Sequence, residues 1–293
     1  MAFIWATSYP LGRWLGVYEA PEAIVVSRVF IAFIFLCFIA RVRNEPSIPF
    51  KMPVWIQLFV LGFFGFCIHN YLMFAALEHT EAGKGAIING AIPAIVMILN
   101  FLFYRQKITL LSLLGVILSF SGVVLVVTEG KIYNLLNLNI NKGEFMFLIA
   151  IVGWSLYSVI ARPLLETYRA IWVTAYSCLS GGILMLPLLG LNLGPTLELL
   201  SDPFVVLILL IQGVLTMGLG FLWYYEGIKS MGPVNASMYL NLIPIFGVFL
   251  ALITIGEVPS LPVVVGGAAV IFGVLMTNLK SFKLRIPHRI NPF

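Results

Sequence analysis

Charge is what this chain has least of. Only 10% of its 293 residues are Asp, Glu, Lys or Arg, against 61% hydrophobic, and so few polar side chains cannot cover a water-soluble globule. Histidine is nearly absent, at three residues, which leaves little for a membrane-embedded enzyme built on clustered His, Asp or Glu. Cys37, Cys67 and Cys178 stand singly inside apolar runs, without the spacing of a metal site or a disulfide framework. No phosphate-binding loop of the Walker type occurs, which argues against direct use of ATP. Long polar loops and period-two alternation are also missing, so an outer-membrane barrel is excluded and the backbone must satisfy itself as helices.

What is present is a succession of apolar runs, each near the roughly 20 residues a bilayer requires. They predict spans near 2–18, 21–41, 54–77, 82–104, 108–128, 144–162, 168–190, 203–228, 232–255 and 260–279. The fold class expected is an all-α integral membrane protein with ten transmembrane helices. The longest connection, "EGKIYNLLNLNINKGE", mixes Asn, Gly and charge as a surface loop between two halves would. "GLNLGPTLELLSDP" has the Leu spacing of a short helix lying on the membrane surface. The net charge of +5 sits in loop-sized clusters and the tail, where it reads as a topology signal rather than a nucleic-acid stripe. With the N-terminus inside, twelve Lys and Arg residues fall on the cytoplasmic side and three (Lys84, Lys131 and Lys142) outside. Arg13 and Arg28 are left out of that count because they lie within spans or at their rims.

The two halves read as copies. "WATSYPLGR" from Trp5 and "WSLYSVIAR" from Trp154 share a Trp and an Arg eight residues apart, offset by 149. Pro93 aligns with Pro244, Gly115 with Gly266 and Gly122 with Gly273, offset by 151. Five spans per half is an odd number, so the second copy enters from the opposite face, an inverted repeat of the kind secondary transporters use. The organisation expected is repeat 1 over 1–128, a connecting loop at 129–143, repeat 2 over 144–279 and a basic tail at 280–293.

Three stretches carry a family resemblance. "YEGIKSMGPVNASMYLNLIPIFGVFLALITIGEVPS" has a small-residue loop entering span nine, Pro244 in mid-helix and Gly256-Glu257 at its end. "FAALEHTEAGKGAIINGAIP" is its first-half counterpart, and "VVSRVFIAFIFL" places an arginine, Arg28, in span two. The chain resembles, over nearly its whole length, the EamA family of the drug/metabolite transporter superfamily. That resemblance implies that spans one, three, four, six, eight and nine line a central cavity, while five and ten face away. One departure is Gln106, which stands where the second half has Glu257; the amide can still accept a hydrogen bond, but the repeated charge is lost.

Polar and amphipathic residues of the lining spans are the candidates. Tyr9 lies beside Pro10 on one helix face with Trp5, Ser8 and Gly12, and Trp154 and Tyr157 repeat that arrangement with Ser158. Trp5 is expected near the cytoplasmic rim. Asn70 and Tyr71 lie deep in span three, where an unpaired polar group is costly, and Trp223 and Tyr224 are their counterparts in span eight. Asn89 and Asn241 come within a turn before Pro93 and Pro244, where proline frees a helix carbonyl. Their uncharged surroundings disfavour a phosphorylated sugar, which would call for basic residues, and favour a neutral or zwitterionic metabolite. The expected substrate-binding set is Tyr9, Asn70, Tyr71, Asn89, Trp154, Tyr157, Trp223, Tyr224 and Asn241. Glu78, His79, Glu81 and Lys84 read as a solvated loop, Arg28 as snorkelling outward, capping carbonyls or helping to hold the outer gate, and Glu226 with Lys229 as a pair.

The expectation is a secondary transporter exporting small organic metabolites such as amino acids, by alternating access between the repeats. The alternatives are a passive channel, a membrane-embedded enzyme, or a carrier of nucleosides, drugs or nucleotide-like cofactors. The partners expected are a small-molecule substrate and the lipid bilayer, with protons as a candidate coupling ion through Glu226, Glu257 or His69. No cofactor, metal or nucleic acid is expected, and the oligomeric state is a monomer or weak homodimer. The location expected is the bacterial inner membrane with both termini cytoplasmic. The first stretch lacks a basic n-region and a cleavage site, so it is a first span rather than a signal peptide. A span starting at Met1 also suggests native residues upstream.

Overall fold

Among the described residues, eight helices are long and apolar enough to cross a membrane: α2 (Pro21–Val42), α3 (Met52–Leu77), α4 (Ala82–Tyr104), α5 (Leu110–Val127), α6 (Lys142–Thr167), α7 (Ala170–Leu191), α8 (Pro203–Met231) and α9 (Pro233–Ile255). The computed structural model describes residues 1–106, 109–131 and 141–283, with side chains up to residue 276. Most of the connecting loop expected at 129–143 and most of the basic tail expected at 280–293 therefore lie outside the described residues. Before α2 comes α1, in two pieces, Ala2–Ala6 and Ser8–Leu15. Last comes α10, Leu261–Lys283, whose described apolar part, Leu261–Met276, is shorter than the eight. Among the described residues every regular element is helical, as a chain with this little polar surface requires in lipid.

Local chemistry sets the helix ends. The Asp202 carboxylate accepts from the backbone N–H groups of Phe204 and Val205, and the Thr109 hydroxyl from that of Ser112, which satisfies donors left open in a first turn. Arg105 ends α4 and Gly256 ends α9 in the left-handed conformation, at φ 52° and 71°. The "GLNLGPTLELLSDP" stretch contains the helix Leu193–Ser201, with Leu199 buried and Leu193 and Leu197 exposed.

Four helices depart from regularity in matched pairs. The backbone winds in wide, five-residue-spaced turns over Phe63–Asn70 of α3 and over Gly213–Gly220 of α8. Helix α4 is interrupted at Gly90 and Ala91, and α9 tightens over Tyr239–Asn241. Wide turns strain the ladder and persist where something else satisfies it. In α3 that is Asn70, whose Nδ2 donates to the Gly65 carbonyl at 2.7 Å. Removing it by Asn70→Ala is expected to cost about 1 kcal/mol, the net worth of one buried hydrogen bond. Thermal unfolding of the purified protein would show this as a lowered Tm, and an unchanged Tm would count against the role.

The packing has a pattern. Helix α5 lies along α10, and α2 along α7; α2 also meets the wide segment of α8, and α7 that of α3. Helix α9 packs on α4 and α1, and α6 on α3 and α4. Glycines allow the α5–α10 approach: a Cβ on Gly122 would sit 2.5 Å from the Gly266 carbonyl oxygen, and one on Gly273 2.5 Å from that of Gly115. Large apolar side chains such as Ile34, Phe38, Ile117 and Phe249 are exposed on the outer surface, a face suited to lipid rather than water.

Candidate functional site

The tryptophans that open the two similar stretches meet in the centre of the bundle. Trp5 of α1 and Trp154 of α6 pack edge to face with ring centres 5.2 Å apart, a preferred aromatic geometry. The Trp5 indole donates to the Thr216 carbonyl at 2.9 Å, inside the wide segment of α8. Gly220 closes that segment against the same indole, with room for no side chain. Trp5 is thus held inside the bundle.

These rings wall a cavity. Helix α1 contributes Trp5, Ser8 and Tyr9; α2 contributes Arg28; α3 contributes His69, Asn70 and Met73. Asn89 and Ile92 come from the interrupted stretch of α4, Trp154 from α6, Phe221 from α8, and Leu240 and Ile243 from the tightened stretch of α9. Every one of these residues is buried. The empty space is about 420 Å³. The helix irregularities sit where it does, because breaking the ladder is what lets backbone and small residues make room at mid-helix.

Of the residues singled out from sequence, Tyr9, Asn70, Asn89 and Trp154 lie in the wall. Tyr9 stacks on Phe147 at 6.3 Å, and Asn89 directs its Nδ2 toward the Gly85 carbonyl at 3.4 Å. Tyr157 and Tyr224 form a layer beneath. The Tyr224 ring lies 5.2 Å from Trp154, its hydroxyl 2.8 Å from Ser158 Oγ, and the Tyr157 ring stacks on Tyr225 at 4.9 Å. Asn241 is buried one residue outside the wall, between Leu240 and Ile243. Tyr71 is half-buried on another face of α3. Trp223 is 46% exposed on the outer face of α8, one residue and about 100° around the helix from Tyr224.

The residue least anticipated is Arg28. Instead of reaching the surface it is 2% exposed. Its Nη2 donates to Thr216 Oγ1 at 2.6 Å, with Gln212 Oε1 at 3.3 Å and Ser8 Oγ at 3.4 Å. The guanidinium lies 4.7 Å above the Phe74 ring, an attractive cation–π arrangement. Sequence reading missed Gln212 and Thr216 altogether. Two polar residues one helical turn apart, in an otherwise apolar first part of α8, were the signal available. His69 bridges α3 to α6 through Nδ1, 2.9 Å from the Ala150 carbonyl. Since a carbonyl only accepts, that nitrogen carries the proton.

The end of the bundle nearest Arg13 is tied by charge. Arg13 Nη1 donates to the carbonyls of Leu77 and Glu78, both at 3.0 Å, and Nε lies 3.9 Å from Glu257. Glu257 also accepts from the Gly83 N–H at 3.2 Å. Lys84, expected in a solvated loop, is buried in the first turn of α4 with its Nζ between Glu129 and Glu144. The opposite end lacks the repeat of the Arg13–Glu257 pair: Gln106 accepts from Asn100 Nδ2, and Arg162 pairs with Glu166 at 3.0 Å. Lys229, expected beside Glu226, donates to the Tyr168 carbonyl at 2.8 Å.

Just past α3, partial burial and then the charges of Glu19 and Glu22 raise the Glu78 carboxyl from its ordinary 4.5 to about 7, against the pull of Lys142. The folded chain therefore holds this proton more tightly than the unfolded one, and stability falls as pH rises from about 4.5 to about 7. Glu78→Gln is expected to flatten the Tm over that window. A pH profile unchanged by the substitution would show that other groups set it.

A buried polar and aromatic chamber inside a bundle with an apolar exterior fits a multi-pass membrane transporter. The model of the EamA-like transporter family matches residues 1–128 and 141–279, and the chain belongs to that family. Bacillus subtilis YyaM, named an uncharacterized transporter, is 30% identical over 234 residues, 80% of this chain and 74% of the relative. A probable terminal-alkyne amino-acid exporter of Streptantibioticus cattleyicolor is 23% identical over 294 residues, 96% of this chain and 92% of that one. A solved crystal structure at 16% identity aligns with 97% of this chain and 96% of its own, with a TM-score of 0.68, a likeness of fold alone.

Proposed function

We propose that this transporter is a secondary carrier that exports small organic metabolites, amino acids and their relatives foremost, by rocking two inverted five-helix repeats about the central chamber. The observation that carries the reading is the chamber itself: its wall is buried all round and built from both halves, with Trp5 and Trp154 in contact. A carrier must enclose its solute between openings, whereas a channel needs a continuous path.

Repeat 1 would span 1–128 and repeat 2 144–279, each crossing the bilayer five times. Support comes from the paired irregularities, Phe63–Asn70 with Gly213–Gly220 and residues 90–91 with Tyr239–Asn241. It also comes from the packing, in which exchanging each helix for the one five places along turns α2–α8 into α7–α3 and α1–α9 into α6–α4. An orientation with both termini in the cytoplasm of a bacterial cell is supported by Arg41, Arg43, Lys51, Arg105, Arg162 and Arg169 gathering at one end. The amino-acid reading leans on the name of the Streptantibioticus relative.

Solute counterflow in proteoliposomes tests it. A carrier preloaded with unlabelled solute accelerates uptake of the labelled one, across a panel of amino acids, purines and organic acids. Uptake indifferent to preloading would mean a channel, and no movement of any solute would end the transporter reading in its present form.

A further inference from the structure

Among the described residues, one buried charge in the chamber has no partner of opposite sign. Arg28 remains charged at any physiological pH, since its guanidinium does not give up its proton in proteins. Its wall contains no Asp or Glu, and among the described ion pairs none involves Arg28. Neutral oxygens from Ser8, Gln212 and Thr216 surround Nη2 alone. Nε and Nη1 are buried and make no hydrogen bond, which leaves three N–H groups without acceptors. A desolvated cation of this kind is costly unless an anion completes it, and the chamber it lines is the space where one can enter.

We propose that Arg28 binds the carboxylate of the transported solute, so that the substrate class is monocarboxylates with a small apolar or aromatic body; this rests on the carrier reading above. A planar guanidinium matches a planar carboxylate with parallel N–H donors, and such charge-assisted bonds are the strong ones. One fixed cation balances one negative charge, which fits a carboxylate better than a phosphate dianion. The solute's body then lies against the rings of Trp5, Trp154 and Phe221, whose surfaces form the apolar part of the same wall. The asparagine neighbourhoods of α4 and α9 are uncharged, and Arg28 of α2 lines the same cavity as Asn89.

The carboxylate has two sources, amino acids and simple organic acids, and acid–amide pairs separate them. The purified full-length protein is heated with propionate or propionamide, L-alanine or L-alaninamide, 3-phenylpropionate or its amide, L-phenylalanine or its amide, and inorganic phosphate. At least one acid is expected to raise the Tm while its amide does not, and phosphate to do less. A response to the ammonium-bearing acids alone identifies amino acids; a response to the plain acids identifies organic acids. Arg28→Gln is expected to weaken binding of the responding acid by roughly 10- to 100-fold, the loss of a charged hydrogen-bond partner, and Arg28→Lys to weaken it less. Amides acting as well as acids, phosphate acting best, no acid acting at all, or folded Arg28→Gln binding unchanged would each overturn the assignment. The acid–amide comparison uses only the native chain, so it decides the matter even if Arg28→Gln fails to fold. Counterflow keeps the two proposals apart: exchange of solutes lacking a carboxylate, undiminished in Arg28→Gln, preserves the carrier and removes Arg28, whereas acid-specific binding without counterflow does the reverse.

Discussion

Trp154→Ala is expected to abolish counterflow and to lower stability by about 3–5 kcal/mol, the usual range for removing a large buried aromatic. Trp154 is the hub of the chamber. Its ring meets Trp5, His69, Tyr157, Phe221 and Tyr224 at centre distances of 4.8 to 5.3 Å, and each good aromatic pair adds about 0.5–1.5 kcal/mol beyond burial. It also helps to join α6 to α1 and α8, beside the Tyr9–Phe147 stack and the Ser158–Tyr224 contact. Losing it leaves a hole in the wall that the proposed carrier cycle closes around a solute, so transport should fall further than stability alone would require. Trp154→Phe retains most of the ring area and is expected to fold with a Tm much closer to the native chain, which separates the two effects. A Trp154→Ala protein with native Tm and native counterflow would remove the chamber from the transport path.

Gly122→Leu is expected to prevent recovery of a monodisperse folded protein. Even the Cβ of the new side chain would lie 2.5 Å from the Gly266 carbonyl and 2.9 Å from the Val270 nitrogen. Those are backbone atoms of a facing helix, which cannot turn aside as a side chain can. Overpacking a well-filled interior typically costs about 1–3 kcal/mol where side chains can shift, and more is expected where two helix axes must separate. Gly190→Ala is the control. Nothing lies within 4 Å of its Cβ position, and alanine is favoured over glycine in helices by up to about 1 kcal/mol. Size-exclusion profiles of the two variants in detergent should differ plainly, and equal profiles would mean that α5 and α10 stand further apart than this structure places them.

The helices themselves were legible because lipid imposes a length and forbids unsatisfied backbone. The runs expected at 21–41, 82–104 and 232–255 reappear as Pro21–Val42, Ala82–Tyr104 and Pro233–Ile255. Parts of the site were legible too: Tyr9, Asn70, Asn89 and Trp154 stood out as amphipathic or amide side chains in deep apolar surroundings, and all four reach the wall. Trp223 stood out for the same reason and faces outward. Composition alone does not distinguish a tryptophan turned to lipid from one turned inward, since the two positions differ by one residue along the helix.

Arg28 marks the boundary between the two kinds of knowledge. Scarcity of charge and the lengths of the apolar runs were enough, by themselves, to determine a helical membrane protein. Whether an arginine seven residues into a span points to lipid headgroups or to the centre depends on how its helix is rotated, and rotation is decided by neighbours. Here α2 lies against α7 and the wide segment of α8, and that packing brings Arg28 to Ser8, Gln212 and Thr216, residues 20, 184 and 188 positions away. Only the tertiary structure could bring these groups together, because a contact so distant along the chain leaves no period or spacing in it.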